Sequence, residues 1–262
     1  MVSPRAQRPR KEHPSAYRAG ILIAKGSIAA LTRSDWRGVE NLPSDGGFLV
    51  CPNHISYADP FAVTRFLWDN GRPPYFLAKE SMFHWPLFGR IMRDSGQIPV
   101  RRGTARAAEA YEAAVEAVVN GRCVVVMPES TITKDPEQWP MVGKTGAARI
   151  GLATGRPVIP LAQWGAQFIR HRRGRPDPGP RVVSRMSAGP PVPLDDLSAR
   201  ESDSSLLRVA TDRIMDAITA ELETLRGEKC PPGRWDPSAG RRVLRDELGD
   251  RPELRDEAGE RR

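Results

Sequence analysis

The side chains best placed to do chemistry together lie in one stretch of ten residues, Cys51-Pro52-Asn53-His54-Ile55-Ser56-Tyr57-Ala58-Asp59-Pro60. An imidazole with a pKa near 6.5 can take a proton from a hydroxyl at neutral pH, and a nearby carboxylate can orient the ring. His54 is the candidate base and Asp59 its partner. On a continuous helix a separation of five residues would put them on different faces, so the pair needs a loop that folds back before a helix begins. The spacing alone is a weak signal: with four histidines in the chain, such a pair arises by chance in roughly one sequence of this kind in four. Asp59 before Pro60 also suits an ordinary helix N-cap with Pro at the first helical position, worth about 1 kcal/mol. The two roles can coexist.

The flanking elements supply the context. Phe48-Leu49-Val50-Cys51 reads as a strand and residues 60–68 as a helix, which puts the polar stretch at the carboxyl end of a strand, the usual site face of an α/β protein. Further strand patterns follow at 75–78, 98–100, 123–127 and 157–164, with helical patterns between them at 82–92, 105–119 and 145–153. Strand and helix in turn predict an α/β fold, a mixed and mostly parallel sheet flanked by helices. Residues 182–186 could add a strand, and Leu207, Ile214, Ile218, Leu222 and Leu225 mark a closing helix. Tyr17, Ile21, Ala24, Ile28 and Leu31 form one apolar stripe on an amphipathic helix over 16–33, which either docks on the core or lies in a membrane interface. Residues 1–15, with Arg5, Arg8, Arg10 and Lys11 among three prolines, read as a flexible basic arm, and the charged stretch 227–262 as a disordered tail. The domain proper is then expected over 35–225.

Composition narrows the classes. The formal net charge of +8, from 40 Lys+Arg against 32 Asp+Glu, points to an anionic partner: membrane surface, nucleic acid or phosphorylated substrate. Cys51, Cys123 and Cys230 form no C-x-x-C pair, so neither a disulfide framework nor a zinc site is supported, and a reducing cytosol fits best. The longest apolar stretch, 21–31, is interrupted by Lys25, Gly26 and Ser27 and is too short to span a bilayer; the interior lysine and the lack of a cleavage site argue against export. Gly143-Lys144-Thr145 imitates the end of a phosphate-binding loop, but its first glycine would fall at Gln138, and no Gly-x-Ser-x-Gly nucleophile motif is present. His84 and His171 lack ligand-like partners, so no metal site is expected.

Four blocks in order give the stretch its meaning. After the His54 block come Gly96-Gln97-Ile98-Pro99-Val100-Arg101-Arg102-Gly103, then Met127-Pro128-Glu129-Ser130-Thr131, then Val158-Ile159-Pro160, with Lys79 ahead of Phe83-His84-Trp85-Pro86 in the linking segment. In this order and spacing the chain resembles the glycerolipid acyltransferase family, and in particular bacterial 1-acylglycerol-3-phosphate acyltransferases, over roughly residues 35–225. The resemblance implies a single acyltransferase domain in which His54 removes the proton from a glycerol hydroxyl, Asp59 orients the ring, and the alkoxide attacks an acyl thioester without a covalent acyl-enzyme. It implies lysophosphatidic acid as acceptor, acyl-CoA or acyl carrier protein as donor, no cofactor, and a peripheral place on the cytoplasmic face of the cell membrane.

By the same resemblance Arg101 and Arg102 would hold the acceptor phosphate, for which guanidinium forks are suited, and Glu129, Ser130 and Thr131 would take part in acceptor binding. For the arginines the plain alternative is a solvated pair at a strand end, and for Glu129 a carboxylate that braces a loop. The third block of the family usually reads Pro-Glu-Gly-Thr, often followed by Arg, whereas Ser130 and Ile132 stand here, with Lys144 a candidate for the lost charge. An acyltransferase acting on another lysophospholipid or glycolipid is the near alternative. A basic nucleic-acid-binding protein using Arg170-His171-Arg172-Arg173 is the distant one, weakened because no aromatics interleave that run for base stacking.

Overall fold

Phe48-Leu49-Val50-Cys51-Pro52 is buried along its whole length, as a central strand covered on both faces must be. The computed structural model describes residues 15–100, 106–169, 171–172, 175–176, 182–197, 204–244 and 247. Its strands are β1 Thr32–Arg37, β2 Phe48–Pro52, β3 Pro74–Lys79, β4 Ile98–Val100, β5 Cys123–Val125, β6 Val158–Trp164, β7 His171–Arg172, β8 Arg175–Pro176, β9 Val182–Ala188, β10 Arg234–Asp236 and β11 Arg241–Val243. The helices are α1 Ser15–Leu31, α2 Asp59–Asp69, α3 Phe88–Asp94, α4 Arg106–Val119, α5 Gly146–Thr154 and α6 Ser204–Arg226. Seven strands form one sheet in the order β1-β9-β6-β2-β5-β3-β4. All neighbours run parallel except β6 and β9, which are antiparallel.

The period of two along β2 divides the core. Leu49 and Cys51 face a layer built from α4, α5 and α6, where they join Ala114, Val118, Ile150, Ile214 and Ile218. Phe48 and Val50 face the other layer with Val63, Phe66 and Leu67 of α2. Both faces of the sheet are covered, which is the mixed α/β architecture read from the alternating pattern.

Helix α1 docks the expected stripe inward. Tyr17, Ile21 and Ile28 are buried, the Tyr17 hydroxyl donates to Pro74 O at 2.9 Å, and its ring stacks on Tyr75 at 5.3 Å. Leu22 and Ile23 are left facing outward at 62% and 61% exposure. Among the described residues no helix is long and apolar enough to cross a membrane.

Three elements differ from the expectation. The helix expected over 82–92 is split by Pro86 into a short 3-10 turn, Glu80–His84, and α3. Immediately after α1 the polar run Thr32–Arg37 forms β1, a sheet-edge strand paired with β9, where no apolar alternation announces it. Most notably, part of the stretch read as a disordered tail folds into the β10–β11 hairpin. Its order comes from charge pairing with distant elements: Arg234 bonds Asp212 at 2.9 Å and also meets Asp216, both on α6, while Arg242 pairs with Asp135. Val243, 1% exposed, closes against Val142. Of the basic arm read over residues 1–15, all but Ser15, which opens α1, lie outside the described residues.

Candidate active site

The chain leaves β2 at Pro52 and reverses through residues 53–58 before α2 begins at Asp59. This turn brings together the two side chains that a helix would separate: His54 Nδ1 lies 2.8 Å from Asp59 Oδ2. Asp59 has no exposed surface, and its carboxylate organises the whole turn. Oδ2 also accepts the amides of Ile55 at 2.6 Å and Ser56 at 2.8 Å, while Oδ1 accepts the Ser56 hydroxyl at 2.8 Å. Ala58 is the capping residue and Asp59 the first helical one, so the carboxylate turns back to the loop rather than serving as the N-cap. A carboxylate accepting from Nδ1–H fixes the tautomer that leaves Nε2 as a free base. The His54 side chain is 15% exposed, within reach of a substrate yet held by its surroundings.

Two further residues hold the backbone of the loop. Asn53 and Gln163 of β6 exchange three bonds: Gln163 N–H to Asn53 Oδ1 at 2.8 Å, Asn53 Nδ2 to Gln163 O at 3.2 Å, and Gln163 Nε2 to Asn53 O at 2.7 Å. Sequence reasoning passed over Gln163; its only signal is a polar side chain at the end of an otherwise apolar strand run. The second residue is Glu129. It is 3% exposed, and its two oxygens are both occupied, Oε1 by the His54 amide at 2.9 Å and Oε2 by the Met141 amide at 3.0 Å. Burial pushes its carboxyl up to about 8, against the lowering effect of those two N–H bonds. In this geometry Glu129 braces the His54 loop, the plainer of the two roles considered for it.

Ser130 stands in the left-handed region at φ 62°, the conformation for which glycine is the usual residue. Its amide still closes the turn on Met127 O at 3.0 Å. Gly96, which opens the second block, is also left-handed, at φ 68°, and there the chain does use glycine to pass from α3 into β4. Thr131 is exposed beside Ser130, and the next bond ties the block to the His54 loop: the Thr133 amide donates to His54 O at 2.7 Å. In the fourth block Ile159 and Pro160 lie opposite Val50 and Cys51, so β6 and β2 present Gln163 and Asn53 side by side. Arg101 and Arg102 lie outside the described residues. Among those described, no group of three or more His, Cys, Asp or Glu could hold a metal.

A family model described as Acyltransferase matches residues 33–164. This chain belongs to the acyltransferase family. The matched span runs from β1 to the end of β6 and so contains the His54–Asp59 pair, Glu129 and Gln163. This acyltransferase is 32% identical over 150 residues to a chloroplastic 1-acyl-sn-glycerol-3-phosphate acyltransferase of Brassica napus, covering 56% of this chain and 42% of that one. It is 26% identical over 190 residues to the 1-acyl-sn-glycerol-3-phosphate acyltransferase of Borreliella burgdorferi, covering 72% and 71%. The match thus spans less than half the length of the plant relative and about seven-tenths of the bacterial one. Its fold is similar to that of the 1-acyl-sn-glycerophosphate (LPA) acyltransferase PlsC of Thermotoga maritima, with a TM-score of 0.60, 22% identity and coverage of 82% and 81%.

Proposed function

We propose that this acyltransferase moves a fatty acyl group from a thioester, acyl-CoA or acyl carrier protein, onto the free hydroxyl of lysophosphatidic acid, giving phosphatidic acid. The observation that carries the reading is the His54 Nδ1–Asp59 Oδ2 contact of 2.8 Å, which leaves Nε2 available at the carboxyl end of β2. In this mechanism Nε2 takes the hydroxyl proton as the oxygen attacks the thioester carbonyl. The tetrahedral intermediate then collapses, the C–S bond breaks, and the imidazolium returns its proton to the leaving thiolate. Asp59 stabilises that imidazolium, and proton transfer of this kind contributes roughly 100- to 10,000-fold in rate. Arg101 and Arg102 would hold the acceptor phosphate. The chain's similarity to 1-acyl-sn-glycerol-3-phosphate acyltransferases supports this acceptor, and Ser130 and Ile132, where the family usually has glycine and often arginine, are the departures that favour a different lysolipid.

Incubating the pure protein with lysophosphatidic acid, other lysolipids and a set of acyl thioesters, with products identified by mass spectrometry, tests donor and acceptor together. His54→Ala should form almost no product while remaining folded. Near-normal turnover by that variant would overturn the mechanism.

The same reading places the enzyme peripherally on the cytoplasmic face of the membrane. Its support is the outward pair Leu22 and Ile23 on α1, together with Trp85 and Leu87 at 58% and 75% exposure just before α3, the helix whose Ile91 lies beside Gly20 of α1. The double variant Leu22→Asp and Ile23→Asp should lose binding to anionic vesicles; unchanged binding would remove α1 as the contact.

A further inference from the structure

The last ladder bond between the parallel strands β2 and β6 runs from the Asn53 amide to Leu161 O, at 3.3 Å. Carried one step further, the parallel pattern would give Asn53 O the Gln163 amide. The chain exchanges that one bond for two: the Gln163 amide goes to Asn53 Oδ1 at 2.8 Å, and Asn53 O accepts Gln163 Nε2 at 2.7 Å. With its ladder place taken by a side chain, the main chain can leave the sheet, and the next residue is His54. Asn53 O and the His54 N–H belong to one planar peptide unit. Gln163 holds its oxygen, and Glu129 accepts its N–H at 2.9 Å.

Packing does not ask for a glutamine at this position. By the period of two, residue 163 follows Ile159 and Leu161 on the face of β6 that meets the α2 layer. Gln163 is 1% exposed, and its Oε1 is buried with no hydrogen-bond partner among the described residues. Turning the amide over would not help, because Nε2 is the only atom of this side chain that can donate to Asn53 O. An apolar residue of the same length would keep both bonds made by the Gln163 main chain, its N–H to Asn53 Oδ1 and its O from Asn53 Nδ2 at 3.2 Å. It would exchange one unpartnered buried oxygen, Gln163 Oε1, for another, Asn53 O, so stability alone does not single out glutamine. What glutamine uniquely supplies is a donor on the peptide that precedes His54. A local rule broken without a gain in stability is characteristic of functional positions.

We propose that Gln163 is a positioning residue for His54: with Glu129 it clamps the 53–54 peptide from both ends and so fixes the imidazole against Asp59. Gln163 bonds to the main chain of Asn53 and acts through it, not on the substrate. The inference rests on the reading of His54 as the base and adds to it a residue, outside the His54 turn, on which the placement of that base depends. Either half of the clamp is insufficient, since a peptide held at one end can still rotate about that bond and carry the ring with it.

The test compares the full chain with Gln163→Met, Glu129→Gln, the double variant and His54→Ala, in acyl transfer from acyl-CoA to lysophosphatidic acid and in thermal unfolding. Gln163→Met deletes the Nε2 bond and leaves the two main-chain bonds. Its kcat should fall about 10- to 100-fold, as for a base misplaced by up to about 1 Å, with KM for both substrates within about twofold of the wild type. Its melting temperature should stay within about 3 °C. In the double variant kcat should lie within about threefold of the weaker single one, because either substitution releases the same peptide, whereas independent effects would multiply. A readout without substrate is the proton resonance of His54 Nδ1–H, identified by its loss in His54→Ala, which should broaden or move in Gln163→Met. Gln163→Leu repeats the comparison with a branched side chain, so that one packing defect does not decide it. A kcat within about twofold of the wild type, a loss confined to KM, or losses that multiply would overturn the proposal. His54→Ala inactive beside a fully active Gln163→Met would overturn the clamp alone, while near-normal turnover by His54→Ala would overturn the base and the clamp with it. If the wild type transfers no acyl group to lysophosphatidic acid, the acceptor reading fails and the resonance decides the clamp, an unchanged signal in Gln163→Met overturning it.

Discussion

Glu129→Gln isolates the brace under the His54 loop. Both carboxylate oxygens receive backbone N–H groups, from His54 at 2.9 Å and Met141 at 3.0 Å. A glutamine of the same shape can accept one of these bonds, but its NH2 then faces the other donor. One buried amide is orphaned, at a cost of about 1 to 3 kcal/mol. The size of the effect depends on pH in a definite direction. Burial pushes the folded-state carboxyl from 4.5 up to about 8, so between those values the native state binds the proton more tightly than the unfolded chain, and wild-type stability falls as pH rises. At about 1.4 kcal/mol per pH unit, the interval sets a ceiling of about 5 kcal/mol on that loss. Glutamine does not titrate, and every other titrating group is common to both proteins. The difference between them therefore reports Glu129 alone. Urea unfolding at several pH values from 4.5 to 8.5 should show the wild type clearly more stable at the acid end and the gap closing, or reversing, toward pH 8.5. A gap that is constant, or that widens with pH, would mean that the carboxylate is ionised in the folded protein and that its two amide bonds outweigh burial.

Substitutions at three other positions probe separate links. Asp59→Asn keeps the size of the side chain but gives up one strong acceptor among four bonds, so turnover should drop by at least about 100-fold and stability by about 1 to 3 kcal/mol; a variant with wild-type turnover would show that His54 needs no orienting carboxylate. Ser130→Gly relieves a left-handed serine and should be neutral or stabilising by up to about 1 kcal/mol, whereas Ser130→Val should cost about 1 to 2 kcal/mol; thermal unfolding of the pair checks this, and equal melting temperatures would refute strain at that position. Arg242→Ala leaves Asp135, whose side chain is 1% exposed, without its cation, and should cost about 3 kcal/mol or more by urea unfolding; a loss below about 1 kcal/mol would mean that the hairpin is not holding the loop.

What could be read in advance follows from how local each cause is. The strands at 48–52 and 158–164 were legible because an uninterrupted apolar run is required of a strand buried on both faces. The His54–Asp59 pair was legible as a candidate from residue type, but the geometry that makes it a pair is a property of the turn, set by Asp59 accepting from Ile55 and Ser56. Other features were silent. β1 is a polar edge strand whose order comes from its neighbour β9. The β10–β11 hairpin has the charged composition of a disordered tail, because the charges that fold it are compensated by residues on α6 and in the 133–142 loop, far away in sequence. Gln163 shows in the sequence only as a polar residue ending an apolar run, since its bonding to Asn53 exists only once β6 lies beside β2.

These long-range contacts form one connected structure around His54. The Trp235 carbonyl of the hairpin accepts the Val142 amide at 3.0 Å, and the preceding residue, Met141, donates to Glu129, which in turn holds the His54 amide. Arg226, at the end of α6, also contacts this loop, with its guanidinium 3.9 Å from the Trp139 ring centroid and 4.3 Å from that of Trp164, next to Gln163. The backbone at residues 53–54 is thus held by β6 through Gln163 and by the 133–142 loop through Glu129 and Thr133. A proton-transfer catalyst needs its base placed to a fraction of an ångström, and a six-residue turn cannot supply that alone. The hairpin and α6 lie outside residues 33–164, yet they support the loop that positions His54, so the part of the chain matched by the family model does not contain everything that fixes the geometry of the proposed base.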